Sequence, residues 1–213
     1  MKKLIINADD FGLHPLINKG IIEGYQKGMI TSTSIMPGAP YFKEAANLAA
    51  QNPELGIGIH LTLVGGVAPV LKKGVNSLLT SQGVFAEDYT VFAKKWYTGS
   101  IKRSELEQEL RAQIEKVLES GIKPTHIDSH QHMHVLPGIA GMVIRLCREY
   151  GIRKIRMPEE NIFWSGGFSA GAGRKIGRDG LSFCSALAKS KAKKSRAHLP
   201  AALFWHAGRR QLK

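Results

Sequence analysis

An α/β architecture built on a parallel sheet is what this 213-residue sequence predicts, and three observations carry it. Short β-branched runs alternate with helical patterns through about residue 160, the rhythm of repeated βα units. The cleanest run, Leu55–Leu63, sets Ile57, Ile59, Leu61 and Leu63 on one face and Gly58, His60 and Thr62 on the other. Acids and histidines gather at the predicted C-terminal ends of strands, where parallel α/β folds place their sites.

Taken in order, Leu4-Ile5-Ile6-Asn7-Ala8 predicts a first strand buried on both faces. Pro15 suits a first helical turn, and Leu16, Ile17, Ile21 and Tyr25 make the apolar stripe of a helix to Lys27. Thr31–Met36 is a second strand, Tyr41–Asn52 a second helix and Leu55–Leu63 a third strand. Residues 64–100 are rich in glycine and polar groups and weak in period, which predicts a long excursion over one face, in the manner of a lid. Ser104-Glu105-Leu106-Glu107 has the pattern of a capping box opening a helix that stops at Gly121. Thr125–Asp128 is a strand, Gly138–Tyr150 a helix and Lys154–Met157 another strand. Past Pro158 the pattern degrades into a glycine-rich and then an alanine- and lysine-rich stretch. The expected division is a domain over 1–160 and a basic, irregular or truncated C-terminal segment over 161–213.

Composition narrows the function classes. A hydrophobic fraction of 43% with 22% charged residues can build a large core and excludes intrinsic disorder. Two cysteines, Cys147 and Cys184, exclude a disulfide scaffold. No apolar run approaches the roughly 18 residues of a membrane span, and the apolar start is broken too early for a signal peptide. A cytoplasmic protein is the expectation. The net charge of +13 divides unevenly: residues 161–213 hold 11 Lys+Arg against Asp179 alone, leaving 19 bases and 16 acids in residues 1–160. A nearly balanced body therefore carries a basic tail. Leu181, Phe183, Cys184, Leu187 and Ala188 form an apolar stripe ahead of Lys189, Lys191, Lys193, Lys194 and Arg196, the pattern of either a surface helix or a weak peripheral contact with an anionic membrane. Helix-turn-helix spacing, zinc-finger cysteines and a phosphate-binding loop are all missing, so no specific nucleic acid is expected.

Three clusters carry chemistry. Asn7-Ala8-Asp9-Asp10-Phe11-Gly12 closes the first strand with two adjacent carboxylates, more than a helix cap requires. His60 lies on the face of the third strand that it shares with Gly58 and Thr62. Thr125-His126-Ile127-Asp128-Ser129-His130-Gln131-His132-Met133-His134 packs four of the chain's eight histidines and an aspartate into residues 126–134. Neutral imidazoles with a carboxylate suit a divalent cation and leave open positions for water, the arrangement of a catalytic metal site.

In order and spacing, the first motif, Gly58-Ile59-His60-Leu61, and His126 through His134 resemble the YdjC-like carbohydrate deacetylases. This family includes chitooligosaccharide deacetylases, and Leu136-Pro137-Gly138 after the His-Gln-His-Met-His run looks closest to its hopanoid-biosynthesis-associated subgroup. The resemblance spans about residues 3–160. It implies a distorted (β/α) barrel of the glycoside hydrolase/deacetylase type and hydrolysis of an N-acetyl group from an N-acetylated amino sugar, free, oligomeric or lipid-linked. It also implies one divalent metal ion, Mg²⁺ or Zn²⁺. By position, Asp10, His60 and His130 match the family's metal ligands, and Asp9 matches its general base. His126, Asp128, His132 and His134 are then supporting or substrate-contact residues. In the family a late strand ends in a His-Pro-Gly-like motif whose histidine acts as general acid. Here the late histidines are His198 and His206, and Leu203-Phe204-Trp205-His206-Ala207-Gly208 is either a degenerate form of that motif or an accident in a chain truncated or shifted in frame. Composition favours the second, which would leave the barrel incomplete at its C-terminus. Two other readings stay open: a metal-dependent phosphoesterase, and a metal-binding protein without turnover whose basic tail associates with membrane or nucleic acid.

Overall fold

A computed structural model describes residues 4–159, 182–190 and 203–206. The chain divides into two compact units, Met1–Met133 and His134–Lys213. Four strands of the first unit, β1 (Asn7–Phe11), β2 (Ser32–Ile35), β3 (Gly56–Leu61) and β4 (His126–Ser129), form one parallel sheet in sequential order. Helices α1 (Pro15–Gln26) and α2 (Phe42–Gln51) connect the first three strands. Helices α3 (Tyr89–Tyr97) and α4 (Arg103–Glu119) lie between β3 and β4. The architecture is α/β with a parallel sheet, as the βα rhythm predicts.

Register explains the division of the two sheet faces. Ser34 pairs with Gly58, Gly58 with His126 and His60 with Asp128, so these residues share one face. Thr33, Ile35, Ile57, Ile59, Leu61 and Ile127 point the other way, and α1 and α4 pack on the sheet. Both faces are buried, one apolar and one polar. A polar face without water must satisfy itself internally.

Three local expectations are corrected. First, β1 is not Leu4–Ala8 but begins at Asn7 and runs through both aspartates. Leu4 is exposed, because β2 starts only at Ser32 and its pairing with Asn7 sets where the ladder begins. Second, Ser104 is no cap. Helix α4 opens at Arg103 with Lys102 as N-cap, so Ser104 and Glu107 both lie inside the helix, and Glu105 accepts the Ser77 N–H at 2.8 Å. The α1 N-cap is His14, whose Nδ1 accepts the Leu16 N–H at 3.2 Å. Third, residues 64–100 are not a bare excursion. They hold a 3-10 turn at Asn76–Leu78, helix α3 and buried Val64, Val67, Leu78, Phe85 and Phe92. Their apolar residues are spaced too irregularly to show a period.

The second unit holds helix α5 (Ile139–Glu149) and the parallel pair β5 (Arg156–Glu159) and β6 (Leu203–His206). Residues 182–190 are helical, with Phe183 and Leu187 exposed and Ala188 buried. Leu181, His198 and the lysines beyond residue 190 lie outside the described residues. Among the described residues no helix is long and apolar enough to cross a membrane.

Candidate metal centre

Two neighbouring carboxylates on a regular strand point to opposite faces. In β1 they do not. Between Ala8 and Phe11 the strand takes three steps while β2 takes two, from Thr33 to Ile35, so β1 bulges by one residue at Asp9-Asp10. Asp10 absorbs the bulge in the left-handed region, at φ +67°. Thr33 Oγ1 donates to the Ala8 carbonyl at 2.7 Å, satisfying the ladder where it is interrupted. Both carboxylates thereby approach His60. Asp10 Oδ1 lies 3.3 Å from His60 Nε2, and Asp9 also offers an oxygen to the group around His60.

His130 follows β4 directly, and its Nδ1 pairs with Asp10 Oδ1 at 3.0 Å. The His60 and His130 rings meet edge to face with centroids 5.7 Å apart. One ligand atom from each of Asp10, His60 and His130 lies within 4.8 Å of the others. After His130 the chain turns through two left-handed residues, Gln131 (φ +50°) and His132 (φ +60°).

Behind these groups, Asp128 is fully buried and accepts the His60 Nδ1–H at 2.7 Å on Oδ1. Its Oδ2 accepts the Ser34 hydroxyl proton at 2.8 Å. Ser34 has only that proton to give, so it faces His126 Nε2, 3.2 Å away, as an acceptor. Asn7 Nδ2 donates to Ser34 Oγ at 3.0 Å and to Asp9 Oδ1 at 2.8 Å. Asn7 Oδ1 is buried without a hydrogen-bond partner. Ser34, on β2, bonds to Asn7 of β1 and to Asp128 and His126 of β4, yet a serine in a strand has no pattern that marks it beforehand.

Electrostatics follow from this packing. Burial opposes ionisation of Asp10, but hydrogen bonds from His130 and His60 and their charge outweigh it and hold the carboxyl well below the usual range. Burial likewise opposes the His60 imidazolium, and the carboxylates of Asp128, Asp10 and Asp9 overcome it, raising His60 far above an ordinary histidine. The donor set fits a divalent cation: a carboxylate kept ionised, two imidazoles, and a buried aspartate that holds His60 Nδ1–H and leaves Nε2 facing Asp10.

The other predicted residues divide. His126 is buried beside Thr125 Oγ1 at 2.9 Å and Ser34. His134, in the second unit, has its Nε2 at 2.7 Å from the Arg156 carbonyl and so carries its proton there. His206 ends β6, in register with Glu159.

A model of the YdjC-like protein family matches residues 3–210. The chain belongs to that family. The match to YdjC-like proteins runs past residue 160 and takes in β6. Carbohydrate deacetylases are among the relatives. The one from Brevibacillus brevis is 40% identical over 158 residues, 73% of this chain and 59% of the relative. The one from Clostridium beijerinckii is 41% identical over 150 residues, 70% of this chain and 58% of the relative. This YdjC-like chain thus spans about three fifths of the length of the curated relatives it matches. The crystal structure of a candidate cellobiose-phosphate cleavage protein from Enterococcus faecalis V583 superposes with a TM-score of 0.66 at 34% identity. It covers 85% of this chain and 64% of that one.

Proposed function

We propose that this chain hydrolyses the N-acetyl group of an N-acetylated amino sugar at a divalent metal centre held by Asp10, His60 and His130. The observation that carries this reading is the convergence of those three side chains within 4.8 Å, with His60 braced by buried Asp128 at 2.7 Å. The carbohydrate deacetylases among its relatives support the substrate class. A divalent ion bound there would acidify a water and polarise the amide carbonyl.

The protein's own groups supply the rest. Asp9 is the general base in this proposal: its carboxylate is oriented by the Asn7 amide and takes a proton as water attacks. Asp10 and His60 stay fixed because each is bonded on more than one side. If Leu203 to Gly208 is a degenerate form of the family's late-strand motif, His206 is the residue proposed to protonate the leaving amine.

The test is acetate release from N-acetylglucosamine, its oligomers, phosphorylated derivatives and lipid-linked forms, after loading with Zn²⁺, Mn²⁺ or Mg²⁺. Activity abolished in Asp9→Asn, with metal affinity retained, supports the reading. Phosphate release without acetate release would favour a phosphoesterase. Metal binding without turnover on any substrate would overturn hydrolysis and leave a metal-binding protein.

A further inference from the structure

Helix α4 packs on β3 and buries Leu106, Leu110, Ile114 and Val117 along its apolar stripe. It also buries two polar side chains completely, Glu109 and Gln113, one turn apart. Burying a carboxylate and an amide costs free energy unless both are hydrogen-bonded. Their partners are almost all backbone groups of one segment, the loop leaving β3.

Gln113 Oε1 accepts the Thr62 N–H at 2.8 Å, and its Nε2 donates to the Thr62 carbonyl at 2.8 Å, gripping one residue at two points. The same Nε2 donates to Glu109 Oε1 at 2.8 Å. Glu109 Oε1 also accepts the Val70 N–H at 2.8 Å, and Oε2 accepts the Leu71 N–H at 3.0 Å. One turn of α4 therefore pins residues 62 and 70–71, the two ends of a short loop. Between the pins stands Gly65, at φ +90°, where an added Cβ would come within 3.1 Å of the His130 ring. At the first pin, the Thr62 hydroxyl donates to the His60 carbonyl at 3.0 Å.

We infer that Glu109 and Gln113 are positioning residues for the metal centre: by clamping both ends of loop 62–71, they hold the Gly65 backbone as a wall against the His130 imidazole and fix the end of β3 beyond His60. This inference rests on the metal reading above. The clamp touches none of the three proposed ligands and acts only through the loop. A buried network with every member satisfied is rigid, and rigidity behind a ligand sets how well the ligand is presented.

The experiment compares the full chain with Glu109→Gln, Gln113→Met and Leu106→Ala. Each is measured for Zn²⁺ affinity by competition, Co²⁺ visible absorption and thermal midpoint. Glu109→Gln keeps the shape of the side chain but turns an NH₂ toward the Val70 or Leu71 N–H. It is expected to weaken Zn²⁺ binding about tenfold and to alter the Co²⁺ spectrum. Gln113→Met, which releases Thr62 and removes one donor to Glu109 while leaving the Glu109 bonds to Val70 and Leu71, gives a second reading should Glu109→Gln fail to fold. Leu106→Ala removes buried apolar volume from the same helix, so its midpoint should fall while affinity stays within about twofold and the spectrum is unchanged. Wild-type affinity and spectrum in the clamp variants would overturn the inference, as would equal weakening by Leu106→Ala. A wild-type chain that binds no metal overturns the metal centre itself, and the clamp's role with it.

Discussion

Asp10 occupies φ +67°, a conformation that costs a non-glycine L-residue about 1–2 kcal/mol. The bulge that forces it there is also what turns two sequence-adjacent carboxylates toward one histidine. Asp128 stands on the other side of that histidine, and its loss should be felt at the metal. Asp128→Asn keeps an acceptor for His60 Nδ1–H but removes the charge, and a fall in Zn²⁺ affinity of about 10–100-fold is expected by competition titration. The raised His60 also fixes a sign for pH. Without metal, His60 retains its proton through neutral pH, whereas a ligand nitrogen must be free of one. Binding therefore expels a proton, and Zn²⁺ affinity should rise by up to about tenfold per pH unit between pH 6 and 8. A flat profile over that range would mean that His60 is already neutral.

At the scale of elements, the polar face of the sheet leaves room for a large ring by setting a glycine beside it. Gly58 on β3 stands opposite His126 on β4, and any Cβ at Gly58 would overlap the His126 ring. Gly58→Ala should cost about 1–3 kcal/mol through overpacking and lower the thermal midpoint by several degrees. An unchanged midpoint would show that the ring moves aside freely. Helix α4 has a double part, since its apolar stripe builds the core while Glu109 and Gln113 organise the loop after β3. The periodicity of α4 is legible in the sequence. That two of its polar residues face inward is not, because an amphipathic pattern assigns glutamate and glutamine to solvent.

At the scale of the first unit, the three proposed ligands come from β1, β3 and the turn after β4, so a bound ion ties distant segments of chain together. An ion that binds only the folded state stabilises it by about 2.7 kcal/mol at a hundred times its dissociation constant. Zn²⁺ should raise the thermal midpoint of the wild type, a chelator should reverse the rise, and a His60→Ala/His130→Ala double variant should show neither effect. An equal rise in the double variant would place the bound ion elsewhere.

The sequence by itself determined the α/β class, the order of β1 to β5 with helices α1, α2, α4 and α5, and the small set of acids and histidines from which a site could be built. Periodicity and strand-end chemistry are local properties, and local properties are written in consecutive residues. The tertiary structure decided which members of that set meet. Of the four histidines in residues 126–134, only His130 joins Asp10 and His60 within 4.8 Å among the described residues, while His126 and His134 pair elsewhere. It also decided that β1 begins at Asn7, that Ser34 links Asp128 to Asn7, and that Gly65 stands against His130. Register, a one-residue bulge and the burial of α4 set those contacts, and each depends on residues tens of positions apart in the chain.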